Sequence, residues 1–261
     1  MNNPILLISP AINVLVTGLF AGVVLRQYLS RHRQYQLYWS IALCMAFLAT
    51  LAYVLMLLVQ PTTPAGTLFF RVYYILGAEL MPSWLGLGSI ALIASQRITR
   101  ICAIALSILS ILAALLILIA SIDMQKLGQI AGTPGTGILQ TGPWLITTIT
   151  LNTLGVIAIA GVAIYSGWKL LQRQSSIAGF RPINLLWANV LILAGALVIA
   201  AAGTLARFFG VESTFWLVMA VGWIVFFVGV LLTSRRPRTI LPKRDFEDAE
   251  KKLASDTPLR K

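Results

Sequence analysis

The sequence predicts an all-α polytopic integral membrane protein, a seven-helix bundle with its N-terminus outside and its C-terminus in the cytoplasm. Three observations lead to this fold class: the apolar composition, seven long apolar segments, and the placement of the basic residues. Hydrophobic residues make up 58% and charged residues 11% of the 261-residue chain, which excludes a water-soluble globule. Because lipid offers the backbone no hydrogen-bond partner, apolar segments of this length are expected to be helices.

Each apolar segment is about as long as the roughly 20 residues that an α-helix needs to cross the hydrocarbon core. Short fragments rich in turn residues separate the segments, among them residues 61–66 and 132–137. Residues 1–234 are therefore predicted to form one transmembrane domain, and residues 235–261 a charged cytoplasmic tail. The predicted segments are Ile5–Leu25, Leu37–Val59, Leu68–Ala94, Ile101–Ile122, Trp144–Leu171, Leu185–Phe208 and Phe215–Thr233.

The basic residues indicate the orientation of the bundle. Lysine and arginine occur in the first, third and fifth loops and in the tail, whereas the opposite loops contribute only Lys126, with Arg71 and Arg207 just inside segment ends. Since cytoplasmic loops are enriched in these residues, the tail is expected inside and the N-terminus outside. The residues that define the cytoplasmic side are Arg26, Arg31, Arg33, Arg97, Arg100, Lys169, Arg173, Arg181, Arg235, Arg236 and Arg238.

The net charge of +12 follows from this asymmetry and predicts attraction to anionic lipids at the cytoplasmic face. It does not predict nucleic-acid binding, because no soluble element with a basic surface precedes the tail. The chain has one histidine, His32, and two cysteines, Cys44 and Cys102, so neither a zinc site nor a His-ligated haem is expected. The seventh segment has no lysine to hold retinal. No metal and no cofactor are predicted.

Glu79 is the clearest candidate for a functional residue. It lies about eleven residues into the third segment, or roughly 16 Å from the outer end, near the bilayer midplane. A charged carboxylate at this depth costs at least ~2.5–3.5 kcal/mol, so Glu79 is expected to face the bundle interior and to be paired or protonated. It is interpreted either as a ligand counter-charge or proton-binding site, or as a neutral side chain with one interhelical hydrogen bond.

The residues around Glu79 predict a pocket. Pro82 withdraws a backbone donor, which should kink the third helix and free a carbonyl near Ala78 for a neighbour, a water or a ligand. Deep polar side chains of the fifth and sixth segments can bond Glu79 or a ligand. The alternative is that these polar and small residues serve helix packing alone. The candidate ligand- or proton-binding residues are Glu79, Tyr74, Pro82, Ser83, Trp84, Asn152 and Asn189.

The run Arg71-x-x-Tyr74-x-x-Gly77-x-x-x-x-Pro82-x-Trp84-Leu85 resembles a stretch of the seven-helix N-terminal sensor regions of bacterial histidine kinases and related signalling proteins. Those regions share the outside-to-inside topology and end at a cytoplasmic effector. The resemblance implies a sensory or ligand-binding module of the bacterial inner membrane. Nothing after residue 233 is long enough for a kinase or cyclase domain, so the module is expected to act through a separate cytoplasmic or membrane protein partner.

Two other functions stay open at this point. An accessory subunit of a larger membrane complex is consistent with the missing effector and the few polar side chains. A small proton-coupled transporter is consistent with Glu79 and Pro82, although the internal repeat typical of carriers is not evident. An enzyme is not predicted, because no nucleophile–base pair, metal cluster or pair of carboxylates can be named.

Overall fold

The computed structural model describes residues 5–172 and 182–234, and this part of the chain is helical apart from short connections. Seven of the described helices are long and apolar enough to cross a membrane, which confirms the predicted all-α seven-helix class. The predicted tail 235–261 and the basic residues Arg173 and Arg181 lie outside the described residues. The spanning helices are α1 (Ile5–Arg31), α2 (Gln34–Leu58), α3 (Pro64–Ile93), α4 (Gln96–Ile119), α5 (Pro143–Gln172), α6 (Pro182–Phe209) and α7 (Phe215–Ser234).

The third span, α3, consists of three consecutive pieces. An α-helix, Pro64–Tyr73, is followed by a π-helix, Tyr74–Leu80, and by a second α-helix, Met81–Ile93. The N–H of Met81 donates to the carbonyl of Leu76, five residues back, which is the π-helical pattern. The irregular piece falls in the middle of the span, just before Pro82.

The described side chains separate into a lipid-facing surface and an interior. Large aliphatic residues point outward along the spans, as expected where lipid replaces water; examples are Leu15, Leu19, Ile108 and Ile119. Some polar groups turned inward bond to other helices. The Asn13 side chain, for example, is fully buried and donates to the carbonyl of Trp216 over 2.7 Å.

Glycines let pairs of helices approach closely at two places. A Cβ on Gly86 of α3 would lie 2.9 Å from the Cα of Gly155 of α5. A Cβ on Gly195 of α6 would lie 2.5 Å from the backbone nitrogen of Phe226 of α7. Both separations are too short for any side chain, so α3 packs on α5, and α6 on α7, nearly backbone to backbone.

Residues 121–142, between α4 and α5, fold over one end of the bundle. Asp123 caps a one-turn helix, Met124–Leu127, and the chain is tied to the spans through tyrosine hydroxyls. The Tyr53 hydroxyl lies within hydrogen-bond distance of the carbonyls of Thr133 (2.7 Å) and Ile130 (3.0 Å), and Tyr73 donates to that of Pro134 (3.1 Å). We call residues 121–142 the plug and the end of the bundle that it covers the plug end.

Candidate functional site

A cavity of about 460 Å³ lies between α2, α3, α5, α6 and α7 in the plug-end half of the bundle. It extends from Pro134 of the plug to Leu85 and Trp223 near the middle of the spans. Its volume is in the range of about 300–1,000 Å³ that is usual for small-molecule sites. Most of the wall is apolar. The side chains with polar groups in it are Thr50, Tyr73, Tyr74, Thr136, Thr148, Asn152, Thr153, Thr204 and Arg207, besides the indoles.

Glu79 lies behind the wall of this cavity and not on its surface. Its side chain is fully buried, and the hydroxyl of Thr148, a wall residue of α5, contacts the carboxyl oxygen Oε2. The other oxygen, Oε1, has no hydrogen-bond partner. The prediction that Glu79 faces the interior is therefore confirmed, and its contact Thr148 belongs to the fifth segment. Its role in ligand or proton binding stays a prediction.

The hydroxyl of Thr148 lies between two acceptors. It donates to the carboxyl oxygen Oε2 of Glu79, and it also lies 2.9 Å from the carbonyl oxygen of Trp144 in its own helix. Since a hydroxyl has one proton to donate, it serves one of these two acceptors at a time.

The carbonyl that Pro82 leaves free has found a partner on α5. In a regular helix the N–H of residue 82 would bond the carbonyl of Ala78, and proline has no N–H. The amide Nδ2 of Asn152 donates to this carbonyl over 2.7 Å. The predicted free carbonyl is thus confirmed, and Asn152 bonds Ala78 and not the carboxyl of Glu79.

Tyr74 meets an arginine at the plug end of the cavity. Nη1 of Arg207, on α6, donates to the Tyr74 hydroxyl over 3.0 Å. The guanidinium carbon lies 5.3 Å from the ring centre of Trp144, a cation–π distance. We call Arg207, Tyr74 and Trp144 the Arg207 corner. The ion pair found in the described part of the chain joins Lys126 and Asp123, so the described carboxylates leave Arg207 without a counter-ion.

Three of the predicted candidates lie away from the cavity. The Ser83 hydroxyl donates to the carbonyl of Leu80 in its own helix (2.8 Å), and the Trp84 indole donates to Ser110 of α4 (3.1 Å). Asn189 lies seven residues, or two helical turns, before Ala196, the first described wall residue of α6. The Ser83 hydroxyl is thus occupied within α3 and Trp84 joins α3 to α4, while Asn189 is too far along α6 to join the other candidates.

Arg207 is the site residue that sequence reasoning missed. The sequence analysis placed it just inside a segment end and did not count it among the candidate residues. The signal for a wall residue was its spacing: Ala200, Gly203 and Thr204 precede it by seven, four and three residues and share its helix face. All four residues line the cavity. A stripe of small residues that ends in an arginine at helical spacing indicates a wall with a charged end.

The cavity opens sideways between α5 and α6. Six of its described wall residues on these two helices are also exposed on the outer surface of the bundle: Ile149 (47%), Thr153, Ile157 (61%), Gly203, Thr204 and Phe208 (68%). The plug covers the end of the bundle, where Pro134 and Thr136 form part of the wall. The open route into the cavity therefore starts at the lipid-facing surface.

Glu212, in the turn between α6 and α7, ties that turn to the plug. The hydroxyl of Thr136 donates to its carboxylate, and burial raises the pKa of Glu212 above its ordinary value.

No group of three histidine, cysteine, aspartate or glutamate side chains in the described residues is placed to hold a metal ion.

A scan against protein-family models and searches among curated proteins and solved structures found no match. The function is therefore argued from the cavity and from the groups that line it.

Proposed function

We propose that this protein is a ligand-binding sensory module of a bacterial inner membrane, which takes a small, largely apolar ligand into the cavity and acts through a separate partner. The observation that carries the proposal is an apolar cavity of about 460 Å³ with one charged side chain, Arg207, among its described wall residues. The plug end is expected on the outer face of the membrane, from the distribution of basic residues.

An apolar wall with a few polar groups gathered at one end is the usual design of a small-molecule site. A larger side chain could also fill part of this cavity without a steric clash. A Cβ on Gly203, in the α6 wall, would meet no atom within 4 Å. Because a cation, a hydroxyl and an indole meet at one end of this open space, the Arg207 corner supports a binding site better than an unfilled packing defect does.

The π-helix in α3 can convert ligand binding in the cavity into a movement of the far end of α3. Gly77 and Ala78 of this piece form part of the cavity wall, and Asn152 holds the Ala78 carbonyl from the other side. Single π-helical turns within α-helices frequently occur at functional sites. A ligand pressing on this wall can shift α3 between π- and α-helical hydrogen bonding, and the far end of α3 moves with it. The resemblance to kinase sensor regions agrees with such a role.

The proposal is tested by filling the cavity without disturbing the fold. Gly203→Leu places an isobutyl group in open space at the wall. Gly161→Leu, in α5, is the matched control, because a Cβ there also meets nothing within 4 Å and Gly161 does not line the cavity. Wild type and both variants are extracted into polymer nanodiscs without detergent, and bound small molecules are identified by mass spectrometry.

We expect at least one small molecule to be enriched with wild type and with Gly161→Leu, and to be lost with Gly203→Leu. The same set of molecules at the same occupancy in all three preparations would refute the proposed site. Comparable melting temperatures for the two variants ensure that a loss of ligand reflects filling and not unfolding.

A proton-coupled transporter is the second candidate, and one observation favours it: the buried, unpartnered Oε1 of Glu79 lies one side chain behind the cavity wall. Such a transporter moves protons across proteoliposomes in response to substrate, and Glu79→Gln abolishes this flux while keeping the acceptor for Thr148. Ligand binding without proton flux, unchanged in Glu79→Gln, decides for the sensory module.

A further inference from the structure

The Arg207 corner and the lateral opening together define the chemical class of the ligand, an inference that rests on the proposed binding function. We propose that the cavity binds a single-chain anionic amphiphile taken from the bilayer, a long-chain fatty acid in its carboxylate form. The carboxylate contacts Arg207 and Tyr74, and the chain runs along the apolar wall towards the middle of the bundle.

The charge of the headgroup follows from the partners of Arg207. A guanidinium has five N–H donors in a planar fork that matches a carboxylate. In the described structure, Nη1 donates to a neutral hydroxyl and the guanidinium lies over a neutral indole ring. A cation held in a half-apolar site with neutral partners selects an anion, and bidentate carboxylate contacts are among the strongest hydrogen bonds in proteins.

The tail follows from the rest of the wall. Beyond the corner the lining is aliphatic and aromatic, including Val156, Ile159, Ile199 and Met219. The α6 wall runs from Ala196 to Arg207, eleven residues or roughly 16 Å along the helix, so the cavity is elongated in the direction that an alkyl chain would take. A volume of about 460 Å³ accommodates one such chain and not a complete two-chain phospholipid.

The depth of Arg207 lets an amphiphile enter from the bilayer at a low free-energy cost. Arg207 lies two residues before the last residue of α6, Phe209, so its guanidinium is close to the membrane–water interface. An amphiphile in the adjacent leaflet already has its headgroup at this level and its chain in the hydrocarbon. It can therefore slide in between α5 and α6, past Ile157 and Phe208, without moving its charge into the membrane core.

The test uses tryptophan fluorescence as a report of position. Trp216 and Trp223 line the cavity, and Trp144 lies against Arg207. A stearate brominated in mid-chain quenches indoles only at short range. It is titrated into protein reconstituted in nanodiscs of zwitterionic lipid, at a pH well above the pKa of the fatty acid, and compared with the brominated stearyl alcohol, which has the same chain and a neutral headgroup.

We expect the wild type to bind the acid about tenfold more tightly than the alcohol, the effect of one charge-assisted hydrogen-bonded pair. Arg207→Gln should remove this preference by weakening the acid alone, and Arg207→Lys should restore part of it. Lys126→Gln is the matched control, since it removes an exposed cation from the plug and should leave the preference unchanged.

Each other outcome counts against a stated part of the proposal. Equal quenching of wild type by acid and alcohol keeps the cavity as a binding site and overturns the anionic class. Displacement of the bromostearate by phosphatidylglycerol at lower concentration than by unlabelled stearate assigns the corner to a phospholipid headgroup and overturns the single-chain ligand. Absence of quenching by both probes removes the proposed binding function as well. These three arms need only the wild-type protein.

Discussion

Two neighbouring stripes of α5 meet the bundle in opposite ways. The stripe Thr148, Asn152 and Gly155 faces α3, where the two helices touch. The Thr148 hydroxyl and the Asn152 amide Nδ2 have partners on α3, although both residues also reach the edge of the cavity. The stripe Ile149, Thr153 and Ile157, displaced by one or two residues, borders the cavity and the lateral opening towards α6. Helix α5 thus packs closely on α3 and leaves an opening towards α6.

The comparison distinguishes polar groups that already bond to a neighbouring helix from polar groups that can contact a ligand. On the α3 side, the polar groups of Thr148 and Asn152 are occupied by Glu79 and by the carbonyl that Pro82 exposes. On the α6 side, Arg207 has neutral partners and faces open space. A deep polar residue in a membrane protein is therefore a functional candidate only after the neighbour that it serves has been identified.

The largest effect is expected from breaking the closed contact at Gly155. A Cβ at this position would lie 2.8 Å from the backbone nitrogen of Ser83, so Gly155→Leu forces α3 and α5 apart. We expect a loss of about 3 kcal/mol of unfolding free energy or more, the upper end of overpacking effects. Gly161→Leu, six residues further along α5 in open space, should keep the wild-type melting temperature. Equal melting temperatures for the two leucine variants would refute the closed contact.

A smaller effect is expected from a matched pair of threonines, one from each stripe. Thr148→Val removes the hydroxyl that contacts Glu79, and should cost about 0.6–1.7 kcal/mol, the range for interhelical hydrogen bonds in membranes. Thr153→Val removes a hydroxyl on the cavity side and should be close to neutral. Reversible unfolding in mixed micelles measures both. A Thr153 variant as destabilised as the Thr148 variant would show that the two stripes are equally packed.

The smallest effect is expected from the pH dependence of the plug contact at Glu212. Because burial raises its pKa in the folded protein above the ordinary value of 4.5, the folded state binds the proton more tightly than the unfolded state does. The stabilisation is complete below the ordinary pKa and is lost as the pH rises through the folded pKa. Between about pH 4 and pH 7, the melting temperature of wild type should therefore fall relative to that of Glu212→Gln. A rise relative to this variant would contradict the sign.

The fold class follows from local sequence information, and part of the site does too. Segment length and hydropathy predict the seven spans, and the chemistry of proline predicts the free carbonyl at Ala78. Glu79 was identifiable because it is an acidic residue far from either end of its segment. These features depend on one residue type and on its depth in one helix, both of which the sequence states directly.

The rest depends on how helices meet, which a single sequence does not state. Arg207 was not among the candidates, because only the fold brings α6 close enough to α3 for Arg207 to reach Tyr74. Asn189 and Trp84 were selected for polarity or size, although Trp84 contacts α4 and Asn189 lies two turns below the cavity wall. The sequence predicts only turn residues in the plug. It does not predict that the plug packs on the bundle, because the hydrogen bonds that hold it come from Tyr53 and Tyr73 on distant segments.

The central claim is that the open side of α5 is a binding site for a ligand. Native mass spectrometry of wild type, Gly203→Leu and Gly161→Leu after addition of stearate tests it most directly, since it counts bound molecules. The account predicts one bound stearate that survives release from the micelle for wild type and for Gly161→Leu, and none for Gly203→Leu. Equal stearate occupancy in all three proteins, or no bound stearate in any, would contradict it.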